Sequence, residues 1–123
     1  MEPSDLRLEW STLTPYTKEN IEKLKLEGIE GVYRISKKEQ DGKFYVILVG
    51  SATDLKAELL KLISENSLFK IYFDQGGDFS FRVASLKDEV MRKAVNKQMY
   101  KQYAPRFNTN EPDSTLDVKI NLN

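Results

Sequence analysis

Two short stretches, Gly31-Val32-Tyr33 and Leu48-Val49-Gly50-Ser51, decide the fold that is predicted for this chain. Asp41-Gly42 lies between them and is a strong signal for a tight turn. We therefore predict an antiparallel hairpin that joins a strand over 32–36 to the apolar run over 44–49. Because the second strand is apolar along its whole length, it is predicted to be central in the sheet.

Hydrophobic periodicity predicts three helices around this hairpin. Thr17 can cap a helix over 18–26, and a second helix is predicted to begin within 51–54. The third helix is predicted over 86–103, because Pro105 prevents its continuation. Its inward side chains are predicted to be Val90, Met91, Ala94, Val95 and Met99.

The remaining apolar segments indicate strands. Segments 69–73 and 79–83 flank the glycine-bearing loop 74–78 and are predicted to form a second hairpin. Apolar and polar residues alternate over 6–10 and 116–122, so both are predicted to be strands with one apolar face. We expect these terminal strands to pair with each other or with the sheet edge. The alternative is that the C-terminal strand adds to a second copy or to a protein partner, which would make the chain an interaction module.

The composition narrows the available chemistry. A chain of 123 residues is predicted to form a single domain over 1–123. Basic and acidic residues each number 19, so the net charge is zero and any phosphate binding must be local. Cysteine and histidine are absent, which excludes disulfides, thiolate nucleophiles, histidine metal ligands and serine–histidine pairs. No segment approaches the roughly 20 apolar residues of a membrane span, so a cytoplasmic protein without membrane contact is expected.

Several pieces of sequence, in their order and spacing, resemble the GIY-YIG nuclease superfamily. They are Gly31-Val32-Tyr33, the hairpin that follows, the stretch from Leu48 to Leu55, and Tyr103-Ala104-Pro105-Arg106-Phe107-Asn108 after the last helix. The resemblance covers 28–108, with a strand and helix extension over 1–27 and a strand-like extension over 109–123. It implies an α+β fold with a small, mostly antiparallel sheet and flanking helices.

The resemblance assigns five positions to the family's active site. Tyr33 matches the tyrosine that helps to activate or place the attacking water, and Asn108 matches the asparagine that closes the motif. Leu48 stands where the family has its second tyrosine, and leucine has no hydroxyl. Glu58 stands in place of the arginine that neutralises the scissile phosphate, and Asn96 in place of the glutamate that holds the divalent cation.

These substitutions reverse the charge that phosphoryl chemistry requires. A carboxylate about 5 Å from a phosphate repels it by roughly 3 kcal/mol at an effective dielectric constant near 20. The neutral amide of Asn96 is a poor ligand for magnesium. We therefore predict a non-catalytic domain with no cofactor. The alternative is a divergent DNA endonuclease with a charge-swapped site, in which Glu58 holds Mg²⁺ or Mn²⁺ and Lys93 or Lys97 supplies the positive charge.

A row of basic residues on the last helix suggests a ligand. Lys93, Lys97 and Lys101 recur every four residues, and Arg106 follows nearby. This row is predicted to contact the phosphate backbone of DNA or RNA. A solvated helix face is the simpler alternative. The leading function from sequence is thus a non-catalytic binding or accessory role, and a protein-interaction domain without nucleic-acid contact is the third possibility.

Overall fold

A four-stranded antiparallel sheet in the order β1-β4-β2-β3 is the framework of the fold. The structure is a computed structural model that describes residues 8–108, 112, 114, 116–120 and 122. The strands are β1 (Thr14–Pro15), β2 (Gly31–Lys38), β3 (Phe44–Ala52) and β4 (Phe79–Ser85). The helices are α1 (Lys18–Lys23), α2 (Leu55–Ser64), α3 (Leu68–Asp74) and α4 (Glu89–Tyr103). The predicted α+β class is confirmed.

The hairpin of β2 and β3 carries both motif stretches, as predicted. Asp41 and Gly42 form its turn: the Lys43 N–H donates to Asp41 Oδ1 at 2.9 Å, and Gly42 has a φ of +81°. The strand register places Tyr33 opposite Gly50. The two motifs therefore lie side by side at the end of the hairpin that is remote from its turn.

The prediction that 44–49 is a central strand is wrong, because β4 and β2 occupy the centre and β3 is at the edge. Helices α2 and α4 contact this strand, and Ile47, Leu48 and Val49 are buried without a second strand neighbour. The chain that follows α4 covers its outer edge, where the Phe107 N–H donates to the Ile47 carbonyl at 3.0 Å. An edge that is covered in this way tolerates the composition of a central strand.

The predicted second hairpin is also wrong, since 69–73 lies within helix α3. The Ser67 side chain caps this helix by accepting from the Lys70 N–H at 3.0 Å. Phe69, Tyr72 and Phe73 follow the three- and four-residue spacing of a helix and face the core. Strand β4 pairs with β2 instead. The aromatic residues of this segment led to the prediction of a strand. The Ser67 cap and the three- and four-residue spacing of the buried side chains favour the observed helix.

The helices otherwise agree with the prediction apart from their ends. Helix α1 stops at Lys23, and Lys25 takes a left-handed φ of +53°. Helix α4 starts at Glu89 because Asp88 caps it, accepting from the Met91 N–H at 3.2 Å. Val90 is 57% exposed rather than inward, whereas Arg92 is buried.

The sheet separates two hydrophobic clusters. The face towards α1, α2 and α3 buries an aromatic-rich cluster that includes Tyr16, Tyr33, Ile35, Leu59, Phe69 and Phe81. The face towards α4 buries a smaller, aliphatic cluster that includes Val32, Val49, Ala84, Val95 and Met99. Strand β2 contributes to both because its successive side chains point to opposite faces. No helix in the described ranges has the length and apolarity required to cross a membrane.

The terminal segments pack on the α4 face of the sheet and do not extend the sheet as predicted. Leu8 and Trp10 pack against the aliphatic cluster without strand structure, while residues 1–7 lie outside the described part of the chain. At the other end, Val118, Ile120 and Leu122 are buried in the same cluster. The predicted alternation over 116–122 is thus present at these described positions, but the side chains of Gln98 on α4 and Arg34 on β2, rather than the backbone of a neighbouring strand, bond the backbone there.

Candidate functional site

A cavity of about 430 Å³ opens where β3 leads into α2, opposite the start of α4. Strand β3 and helix α2 supply one wall, and helix α4 supplies the other. The charged residues that line it are Asp54, Glu58, Lys61, Glu89, Arg92 and Lys93. The register of β2 and β3 brings both motif stretches to this end of the sheet. Of the five predicted site positions, however, only Glu58 lines the cavity, and Tyr33, Leu48, Asn96 and Asn108 do not.

Tyr33 and Glu58 are joined beside this cavity. The Tyr33 hydroxyl donates to Glu58 Oε2 at 3.1 Å, and Tyr33 itself is 4% exposed. Burial, followed by the adjacent Glu58 carboxylate, raises the pKa of Tyr33 well above its ordinary value. The phenol is therefore held neutral and engaged with a carboxylate, which opposes its use as a base.

A second buried tyrosine, Tyr16, was not identified as a site residue from the sequence. Its hydroxyl donates to the Leu59 carbonyl at 2.6 Å, across the core from its own position after β1. Burial and then the nearby Glu58 charge raise the pKa of Tyr16. The sequence feature that could have indicated a role for Tyr16 is its position just before Thr17, the cap of α1. That position alone does not show that the ring points into the core.

Leu48 is buried in the aromatic-rich cluster and supplies no polar atom there. Tyr45, three residues earlier in β3, is 47% exposed and donates its hydroxyl to Asp41 in the hairpin turn. That tyrosine therefore does not replace the hydroxyl that is missing at Leu48.

Helix α4 brings the buried side chain of Arg92 to the cavity, together with Glu89 and Lys93. Arg92 Nη1 donates to Glu30 Oε2 at 2.9 Å and to the carbonyl oxygens of Leu86 at 3.2 Å and Lys87 at 2.6 Å. Asn96 lies one turn further along the helix, partly buried, and its Oδ1 is buried without a hydrogen-bond partner within the described ranges. The buried arginine was missed because the helical periodicity placed Val90 inward instead.

Asn108 performs a clear structural task. Its Oδ1 accepts from the Val49 N–H at 2.9 Å, and its Nδ2 donates to the Val49 carbonyl at 2.8 Å. The side-chain amide therefore satisfies both backbone groups of Val49 on the outer edge of β3, as a neighbouring strand would. Asn108 was predicted as a site position, and its side chain is committed to this edge.

We predict that Asn108→Ala lowers the free energy of unfolding by about 2 kcal/mol, because two backbone groups at a partly buried edge lose their partners. Asn108→Asp keeps the acceptor for the Val49 N–H but sets a second carboxylate oxygen against the Val49 carbonyl, so it should cost at least as much. Urea denaturation monitored by circular dichroism measures both changes. Alanine at the exposed Asn66 is the matched control, and an equal effect at the two positions would contradict the assigned role.

The three lysines of the row on α4 do not share one surface, because Lys93 lines a different cavity from Lys97 and Lys101. Lys93 lines the first cavity and pairs with Glu89 at 3.2 Å. Lys97 pairs with Asp117 at 3.1 Å and donates to the Ser114 carbonyl at 3.2 Å. Hydrogen bonding to Lys97, its charge and the charge of Lys101 lower the pKa of Asp117. Lys97 and Lys101 line a second cavity, of about 640 Å³, on the other side of α4.

Arg106 belongs to a different cluster, centred on Tyr72. The Arg106 guanidinium lies 5.4 Å from the centre of the Tyr72 ring, and Lys37 Nζ lies 4.5 Å from it. Lys37 also donates to the Tyr72 hydroxyl at 2.8 Å. No carboxylate lies within ion-pair distance of either cation in the part of the chain that the structure describes. No local pattern in the sequence indicates that Lys37 lies beside Arg106.

The donor set of the first cavity does not fit a catalytic divalent cation. Asp54 caps α2 by accepting from the Ala57 N–H, Glu58 accepts from Tyr33, and Glu89 pairs with Lys93. Over the described ranges, no three acidic side chains are grouped so that they could hold a metal ion. Asn96, which the sequence resemblance aligned with the metal-binding glutamate, supplies an amide rather than a carboxylate.

Comparison with known proteins agrees with this geometry at the level of the fold. The sequence matches no protein-family model and no curated protein. Among solved structures it is similar to the GIY-YIG N-terminal endonuclease domain of UvrC from Thermotoga maritima bound to magnesium, with 21% identity, a TM-score of 0.58, and coverage of 76% of this chain and 100% of that one. An asparagine-to-alanine mutant of that domain, bound to its catalytic divalent cation, gives 20% identity, a TM-score of 0.59 and the same coverage. The chain has the GIY-YIG endonuclease fold.

Proposed function

We propose that this chain is a non-catalytic GIY-YIG-fold domain that binds nucleic acid without cleaving it. The absence of catalysis is inferred from the hydrogen bond between Tyr33 and Glu58. The Tyr33 hydroxyl, which would place the attacking water, is bonded to the Glu58 carboxylate, which stands where a phosphate-binding arginine is expected. This hydrogen bond leaves neither group available for catalysis. Cleavage would require stabilisation of negative charge at a position where this domain presents negative charge.

The charge-swapped alternative finds little support in the contacts of its candidate residues. Lys97 faces the second cavity and is paired with Asp117. Lys93 does line the first cavity, together with Glu58. A single carboxylate already bonded to Tyr33 is a weak magnesium site, since Mg²⁺ takes near-octahedral oxygen ligands. A cleavage assay in the presence of Mg²⁺ or Mn²⁺ tests the charge-swapped site directly.

The proposed nucleic-acid contact is carried by the two cations at Tyr72, with Lys93 as a further contact. Lys37 and Arg106 both approach one ring, so their charges are concentrated on a small surface and lack a carboxylate partner among the described residues. Cations held over an aromatic ring are pre-oriented and can still bind a phosphate. Lys97 is a weaker candidate for phosphate binding than its place in the lysine row suggests, because its ammonium group already interacts with Asp117 and the Ser114 carbonyl.

Titration of fluorescent single-stranded, duplex and branched DNA and RNA tests this proposal. We expect saturable binding that weakens with salt, and a loss of at least tenfold in Lys37→Glu plus Arg106→Glu. Each phosphate contact that is lost should reduce the slope of log K against log salt by about 1. Lys23→Glu, an exposed charge reversal on α1 at a residue paired with Glu19, is the matched control.

The same mixtures with Mg²⁺ or Mn²⁺ test catalysis, and no cleavage product is expected. Metal-dependent nicking that Glu58→Ala abolishes would overturn the non-catalytic assignment in favour of the charge-swapped site. Absence of binding at low salt, where non-specific DNA binders already associate, would remove the nucleic-acid ligand. A Lys93→Glu variant tests separately whether the lysine that lines the first cavity contributes to nucleic-acid affinity.

A further inference from the structure

The cationic cluster at Tyr72 continues onto strand β3 through an exposed aromatic ring. Tyr45 lies directly opposite Lys37 in the register of β2 and β3. Residues that are opposite each other on paired antiparallel strands point to the same face, with their β carbons about 5 Å apart. Lys37 reaches the Tyr72 ring on that face. Tyr45 and Lys37 are therefore neighbours on one surface.

Arg106 approaches the same surface from the outer edge of β3. The Phe107 N–H donates to the Ile47 carbonyl at 3.0 Å. Asn108 bonds to both backbone groups of Val49. The chain after α4 therefore runs beside β3 in the direction of that strand. Because Arg106 comes before both contacts, it lies towards the exposed start of β3.

Tyr72 holds the two cations together. Lys37 Nζ and the Arg106 guanidinium lie 4.5 Å and 5.4 Å from the centre of its ring. The ring also packs against Phe79 and Phe107, with distances of 5.8 Å and 5.1 Å between ring centres. A ring with neighbours on several sides supports the cations and leaves less of its own surface to a ligand. The set that we call the aromatic–cation strip consists of Tyr45, Lys37, Tyr72 and Arg106.

The Tyr45 ring of this strip is both accessible and held in place. It is 47% exposed, and its hydroxyl donates to Asp41 Oδ2. That hydrogen bond lowers the pKa of the Asp41 carboxyl. The carboxylate charge therefore lies at the hydroxyl end of the ring, where it disfavours a phosphate, while the ring faces can stack with a base. Because the ring is already oriented, a ligand loses less affinity to the ordering of this side chain.

We propose that the aromatic–cation strip selects single-stranded over duplex nucleic acid, an inference that rests on the nucleic-acid binding proposed above. A base stacks on Tyr45, and the neighbouring phosphates bind Lys37 and Arg106. Stacking requires a base whose face is uncovered, whereas the bases of a duplex are stacked on each other. Cations alone would also bind the backbone of a duplex. The exposed and oriented ring beside them is the observation that favours a single strand.

Three fluorescent probes of equal length test this selectivity in EDTA at low salt: single-stranded oligothymidylate, a duplex and an abasic single strand. We expect oligothymidylate to bind about tenfold more tightly than either of the others, since stacking of one base has an effect of this order. Tyr45→Ala should remove this preference and leave the salt dependence unchanged. Lys37→Glu plus Arg106→Glu should reduce the salt dependence, because phosphate contacts are lost.

Phe44→Ala is the matched control and should leave all three affinities unchanged. Phe44 is an exposed aromatic residue next to Tyr45, and its side chain points to the opposite face of the sheet. Tyr45→Phe keeps the ring and should retain most of the preference for the single strand.

The outcomes separate this inference from the proposed function. Equal binding of single strand and duplex, or a Tyr45→Ala variant that keeps the preference, would overturn the inference and leave nucleic-acid binding in place. Absence of binding by all three probes would overturn both and would favour a protein ligand for the aromatic–cation strip.

Discussion

Replacing Gly31 with alanine is expected to lower the free energy of unfolding by about 3 kcal/mol or more, at the upper end of the usual cost of overpacking. A β carbon at this position would lie 2.2 Å from the Ala84 carbonyl oxygen and 3.0 Å from Leu55 Cδ1. The carbonyl belongs to the neighbouring strand β4, whose backbone the sheet holds in place. Neither strand can move without breaking the pairing of Gly31 with Ser85 on one side and Ala52 on the other.

Chemical denaturation of Gly31→Ala and Gly28→Ala provides the comparison. Gly28 has a φ of +70° and no atom within 4 Å of a built β carbon, so alanine there should cost only about 1 kcal/mol, for backbone strain. Similar losses at the two glycines would contradict the steric argument. Gly50→Ala is a useful third variant, because its β carbon would lie 2.3 Å from the Tyr33 hydroxyl and would disturb the contact with Glu58.

Alkaline pH should destabilise the domain steeply, because Tyr16 and Tyr33 are both buried with raised pKa values. In the unfolded chain a tyrosine loses its proton near pH 10, whereas in the folded protein these two keep theirs. The unfolded state therefore binds fewer protons above pH 10, and stability falls as the pH rises. Each tyrosine contributes about 1.4 kcal/mol per pH unit, so the pair should cost about 2.8 kcal/mol per unit.

Urea denaturation at several pH values between 9 and about 11.5 measures this slope. Tyr33→Phe should halve it, and the double replacement of Tyr16 and Tyr33 by phenylalanine should remove most of it. A stability that stays flat from pH 10 to 11 would show that both phenols ionise freely in the folded protein. That result would also weaken the assignment of Tyr33 as a neutral partner of Glu58.

The features that bear on function could be predicted from the sequence to different extents. The hairpin was predictable because Asp41 and Gly42 form a local turn between two apolar runs. Helix α3 was not, because aromatic residues suit both a strand and a helix, and a serine before them, such as Ser67, does not by itself decide between the two. Arg92 was overlooked since a charged residue is expected at the surface unless partners are known, and its partners come from Glu30 and the loop after β4.

The sequence by itself determined the hairpin and the α+β class, and it places glutamate and asparagine at positions 58 and 96. These follow from local turns, from periodicity and from residue order. Only the tertiary structure decided that Glu58 bonds Tyr33, that Asn108 covers β3 and that Arg106 joins Lys37 at Tyr72. The same holds for the ion pair of Lys97 with Asp117 in the covering segment, which comprises residues 116–120 and 122 on the α4 face. Each of these pairings joins residues far apart in the chain, or elements whose relative position local patterns do not specify. They depend on how the helices and the covering segment pack on the sheet, and that packing is settled by the burial of apolar side chains over the whole domain.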